Sequence, residues 1–262
     1  MFPAPYSSNA SQSLDNLLLA FGPIWREAET FLGNPSTKSD DLHQLKNKAI
    51  ALDQDFAKWQ EAQVRDFNPW TVGHVSQVQG GSKPGVGYWP GRVDSYFDLY
   101  VAGVWNTSRI ARVLLINVIL KLSRILNDKQ NHTREHQDAL QLVEDIVSSI
   151  PFHLAEDLPS FLHRLEQFEV GKAEMGKESA AAILSPGRPV GGLLLMHPLY
   201  VASKLSIVPQ QMREYMKDCL EWIAKHMGIG QASLFARVRF RHSQILCVHW
   251  VHWVHWVEKY QC

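Results

Sequence analysis

Residues 110–126 read IARVLLINVILKLSRIL, the most apolar run in the chain. How that run is placed decides the fold. A membrane-spanning helix needs about 20 largely uncharged residues. Arg112, Lys121 and Arg124 interrupt this run, which therefore reads as a helix buried in a protein core. Upstream, the helical pattern extends back to Asp94, and downstream to about Asn127, as one long helix or two stacked ones.

Flanking segments follow the same period. Residues 14–33 are expected to be helical, with Gly33-Asn34-Pro35 as the stop. Ser39 and Asp40 are expected to cap a second helix, whose apolar positions Leu42, Leu45, Ala49, Leu52, Phe56 and Trp59 keep the 3.6-residue period. Residues 68–92 change character. They are crowded with glycine and proline and read as a long loop without a regular element. Thr133 caps a helix over 134–149, which Pro151 stops. A short helix is expected at 157–169 and a second loop at 170–190. Residues 191–205 read as an apolar helix bent at Pro198. Pro209 reads as the first residue of a further helix that ends at Gly228, and residues 230–238 as the start of another. No alternating strand pattern of useful length appears outside the tail. The fold expected is all-α, with about eight helices packed as antiparallel neighbours.

Composition narrows the function classes. The 262 residues are 45% hydrophobic and 20% charged, with Lys plus Arg at 26 and Asp plus Glu at 26. No net basic charge is present to drive nucleic-acid binding by counterion release. Three cysteines, Cys219, Cys247 and Cys262, make no disulfide framework and favour a reducing compartment. The start, MFPAPYSSNASQS, has no basic region followed by an apolar one, so it is not read as a secretory signal. The expected organisation is a disordered 1–13, a helical domain over 14–236 and a low-complexity tail over 237–262.

The tail, CVHWVHWVHWVEKYQC (247–262), invites a metal reading. His249, His252 and His255 would spread over roughly 120° of a helix surface and alternate faces on a strand. Neither form gathers three rings around one ion, and no metal or cofactor is expected. GVGYWPG (85–91) has a dinucleotide-like glycine pattern with the last glycine one residue late. GGSKPG (80–85) lacks the spacing of a phosphate loop. Both read as loop glycines. Cys219 and His226 stand about 10 Å apart along one helix, too far for a thiolate–imidazolium pair.

A few side chains keep unusual company. His153 follows a proline-broken helix end, and His197 precedes Pro198 in an apolar segment. A buried histidine must hydrogen-bond and can act as a base or a ligand contact. Asp94 and Asp98 would share a helix face at i, i+4, a pairing suited to acid–base work or to first-turn capping. Tyr96, Tyr100 and Trp105 read as core aromatics with polar tips.

Four blocks then stand in order: GRVDSYFDLYVAGVWNTSRIARVLLINVIL (91–120), VEDIVSSIPFHL (143–154), GRPVGGLLLMHPLYVAS (187–203) and DCLEWIAKHMGIGQASLFA (218–236). In this order and spacing the chain resembles the C-terminal regulatory region of fungal zinc-cluster transcription factors, over roughly residues 14–236. The resemblance implies an all-α region that senses effectors, restrains activation or mediates protein contacts. The family's DNA-binding module holds two zinc ions on six cysteines. This sequence has three cysteines, none before Cys219, so direct DNA binding is not expected.

The resemblance implies a transcription-factor-like regulator without its own DNA-binding module, tied to fungal secondary metabolism. Its partners would be a full-length zinc-cluster factor or a small apolar effector. It would lie in the nucleus, or alternatively the cytoplasm, and not in a membrane. The rival expectation is a metabolite-processing enzyme, a cyclase, hydrolase or isomerase, working by proximity in an apolar cavity of the same helical domain. Its residues to test would be His153, His197, Asp98, Tyr96 and Arg92.

Overall fold

The computed structural model describes residues 8–34, 36–76, 83–171 and 184–237. The VHW triplets lie outside the described residues, as does most of the expected loop at 170–190. Among the described residues there are nine α-helices and two short strands. The fold is all-α, as the periodicity predicts. No helix is long and apolar enough to cross a membrane among the described residues. Two compact units divide the chain.

The first unit comprises, among the described residues, 8–64 and 108–142. Helices α1 (Ser8–Leu32) and α2 (Ser39–Glu61) pack along one another. On α1, Leu14, Leu18, Phe21, Trp25 and Ala28 are buried at alternating steps of three and four. On α2, all six apolar positions expected from the sequence are buried. The cap of α2 differs from expectation. Lys38 is the N-cap without a side-chain bond, and Asp40 and Asp41 sit inside the first turn, where negative charge suits the helix dipole. Helix α3 (Leu99–Ile125) supplies Ile110, Val113, Leu114, Leu115, Val118 and Leu122, buried nearly all round, as an interior helix must be. It ends with Asn127 at φ 51°, the Asn127 N–H bonded to Arg124 O and the Asp128 N–H to Ser123 O. This left-handed stop satisfies carbonyls that a helix end leaves open. Arg112 donates to Asp53 at 2.9 Å and to Gln60 at 2.8 Å, tying α3 to α2.

The second unit comprises 65–107 and, among the described residues, 143–237. Here the structure corrects the expectation for 68–92. Strand β1 (Trp70–Val75) pairs antiparallel with β2 (Gly91–Ser95), Trp70 opposite Ser95 and Thr71 opposite Asp94. The register slips between Thr71 and Gly73. The glycine-rich character belongs to the connection between the strands. Gly73 is the exception, and its missing side chain lets Leu162 approach, a use glycine often has inside a strand.

Asp94 is corrected with it. Asp94 lies on β2, so it shares no helix face with Asp98. Helix α3 starts only after Asp98, whose carboxylate accepts the Val101 N–H at 2.7 Å as an N-cap. Such a cap contributes about 1 kcal/mol to helix stability.

Helix α4 (Thr133–Ser148) is followed directly by α5 (Ile150–Leu154). Pro151 ends the first pattern as expected but sits in the first turn of α5, where its missing N–H costs nothing. Helix α6 spans Leu158–Gly171 and α7 spans Pro189–Lys204, with Pro198 inside. Helix α8 (Gln210–His226) starts after Pro209, which is its N-cap and not its first residue, and α9 spans Gly230–Arg237. Helix α7 packs on α8 and α5, α8 packs on α9, and α5 also packs on β2.

Candidate functional site

The four sequence blocks meet in the second unit. Block 143–154 ends in α5, and block 187–203 forms α7. The two come together backbone to backbone. A Cβ on Gly191 would collide with the His153 carbonyl oxygen, and one on Gly187 with the Ala155 carbonyl oxygen. Gly187 N–H donates to Leu154 O at 2.8 Å, and Glu156 N–H to Ser185 O at 2.9 Å. The glycines of GRPVGG are therefore contact points with α5. The third close approach is at Gly192, where a Cβ would sit 2.6 Å from Met227 Sδ, against the end of α8.

Arg92 and Asp94 project from β2 two residues apart, on one face. Arg92 Nε donates to both Asp94 oxygens, at 3.1 and 2.9 Å, and Nη2 donates to Asp145 at 2.6 Å. Asp94 also accepts from Thr71 Oγ1 at 2.9 Å and Ser148 Oγ at 2.6 Å. Burial pushes the Asp94 carboxyl up. The bonds from Ser148, Arg92 and Thr71, with the Arg92 charge, outweigh burial and hold it below 3.8. The cluster clasps the hairpin to the end of α4.

Beside it lies a second polar group inside the core. Asn106 of α3 donates to Ser149 Oγ at 2.9 Å and stands 3.2 Å from His153 Nε2. Ser149 Oγ donates to Ile146 O at 2.7 Å. An Asn amide donating to Nε2 places the imidazole proton on Nδ1 when the ring is neutral. Phe152 packs Tyr96 on one side, with ring centroids 5.3 Å apart, and His153 on the other at 6.3 Å. Tyr96, His153 and His197 are all buried.

Of the five side chains singled out in the sequence, Arg92 sits in the ion cluster and Asp98 caps α3. Tyr96 and His153 flank Phe152. His197 sits on α7, the helix packed against the His153 helix.

Sequence reasoning missed Asp145 and Ser148. Their i, i+3 spacing on α4 is the signal that places both toward Arg92 and Asp94. It also missed the interior of the glycine-rich loop. Gly87 N–H donates to Tyr215 Oη at 3.1 Å, and the Trp89 ring packs on Tyr215 at 4.9 Å. Cys219 lies beside Tyr215, and burial pushes its thiol far above the usual thiol range, so it is kept neutral. Among the described residues no group of three His, Cys, Asp or Glu is placed to hold a metal ion.

No family model and no solved structure matches the chain. A curated protein does: Transcription factor dbaG of Emericella nidulans is 48% identical over 239 residues. The alignment takes in 90% of this chain and 54% of that protein, so the chain spans about half the length of the curated relative it matches. Along nine-tenths of its length, the chain is similar to a fungal transcription factor.

Proposed function

We propose that this chain is a transcription-factor-like regulatory protein, acting through partner or effector contacts in the control of fungal secondary-metabolite genes. The observation that carries the reading is the 48% identity to Transcription factor dbaG over nearly the whole chain. The packing supports it. The residues most distinctive in the sequence build one helical unit around α5 and α7 and cluster no metal ligands among the described residues. The 262 residues contain three cysteines, half of what a two-zinc, six-cysteine cluster needs, and carry no net positive charge. DNA reading would then come from a partner, such as a full-length zinc-cluster factor, and the place of action would be the nucleus.

A tethering experiment tests this. The chain is fused to a heterologous DNA-binding domain in a fungal host carrying a reporter with that domain's sites. Reporter transcription should change several-fold, up or down, relative to the tether alone. A reporter that ignores the fused chain, with the fusion present in the nucleus, counts against the regulatory reading.

A further inference from the structure

The segment GVGYWPG (85–91) binds no dinucleotide by its spacing, yet the structure buries it. Val86, Gly87 and Tyr88 are all buried, and the Tyr88 N–H closes a turn on Gly85 O at 2.9 Å. Gly87 takes φ 85°, a left-handed conformation that glycine adopts freely. Tyr215 holds the turn through the Gly87 N–H. The result is a loop that delivers a phenol into the interior, 3% exposed.

That phenol ends in a polar mismatch. The Tyr88 hydroxyl is buried and makes no hydrogen bond, and neither does the buried Nε of Arg164. The two groups face each other electrically. Burial lifts the Tyr88 hydroxyl to about 12, while the Arg164 charge pulls the other way. Phe161 stands one helical turn before Arg164 on α6, and its ring packs on Tyr88 with centroids 5.2 Å apart. Leu184 and Phe161 carbons line the space beside Gly87.

We propose that Tyr88 and Arg164 form the acid-binding end of a small-molecule site that takes a lipophilic carboxylic acid as its carboxylate. Both groups present a hydrogen to donate, so the matching group is an acceptor. Arginine adds a full positive charge, which selects an anion and suits the geometry of a carboxylate. The Phe161 ring and Leu184 favour an apolar or aromatic body on that acid. An unmade bond at a buried donor costs stability, and a ligand that supplies the acceptor recovers it. The proposal deepens the effector half of the regulatory reading and names the chemistry of the effector. It fails independently, because a regulator working only through protein contacts would pass the tethering test and bind no acid.

Calorimetric titration of the purified chain with benzoate, and with benzamide as its neutral counterpart, tests the site. Benzoate should bind and benzamide should bind on the order of tenfold or more weaker, the usual difference for a charged hydrogen-bonded contact. Tyr88→Phe and Arg164→Gln should each weaken benzoate by a similar factor. Tyr88→Phe removes only a hydroxyl that has no partner, so its thermal midpoint should not fall below the wild type's. The proposal is overturned if the wild type binds neither probe. It is equally overturned if benzoate and benzamide bind alike, or if a folded Tyr88→Phe binds benzoate as the wild type does.

Discussion

Gly191→Ala should be the most damaging single-methyl change in the described part of this chain. The added carbon lands on the His153 carbonyl oxygen, a backbone atom that no side-chain rotation can move aside. Helices α5 and α7 must then separate, and the Asn106–Ser149–His153 group loses its back wall. Overpacking ordinarily costs about 1–3 kcal/mol, and a backbone collision belongs at or above the top of that range. For a chain of this size the thermal midpoint should drop by roughly 6–12 °C. Gly22→Ala is the control. It is the same chemical change inside α1, where a Cβ meets nothing within 4 Å. That variant should gain about 0.5–1 kcal/mol from helix propensity alone. Thermal unfolding of the two variants beside the wild type checks both signs, and an unchanged midpoint for Gly191→Ala would remove the close contact from the account.

The second large effect belongs to Asp94. Its side chain is 3% exposed and accepts from Thr71, Arg92 and Ser148, so Asp94→Asn strips a buried charge from three donors at once. Breaking a buried pair of this kind costs about 3–5 kcal/mol. The Arg92 side chain is 34% exposed and keeps Asp145, which lowers the expected loss to roughly 2–4 kcal/mol. The pH dependence follows from the direction of the shift. Asp94 is held below 3.8 in the fold, so its stabilisation is fully present above that value. It is lost as pH falls through the folded value. Urea midpoints should therefore decline below about pH 4 in the wild type and be flatter there in Asp94→Asn. Parallel acid limbs for the two proteins would show that the cluster is not what holds the hairpin to α4.

Helical periodicity made much of the fold legible, because an interior helix and a one-faced helix leave different marks. Residues 110–126 are apolar on every side, and α3 is buried on nearly every side. The α2 pattern named its buried face residue by residue. The hairpin was not legible for a physical reason. Its strands are five and six residues long, and the glycines between them overwhelm any alternation. Asp94 and Asp98 also sit four apart, which imitates a helix face although the helix starts at Leu99. The polar clusters were half legible. Arg92, Tyr96 and His153 stood out by type and company. Their partners Asp145, Ser148 and Asn106 became partners only through tertiary packing. Tyr88 was hidden inside a motif that pointed to phosphates. Only the buried hydroxyl and the charge of Arg164 beside it single the residue out.

The most direct test of the regulatory role is transcript abundance across the neighbouring genes in a strain deleted for this one, read beside its metabolite extract. A regulator predicts that the neighbours' transcripts fall or rise together and that re-expression of the 262-residue chain restores them. Transcripts that hold steady while a pathway intermediate accumulates would contradict it, and would turn attention to His153 and His197 as groups acting on that intermediate.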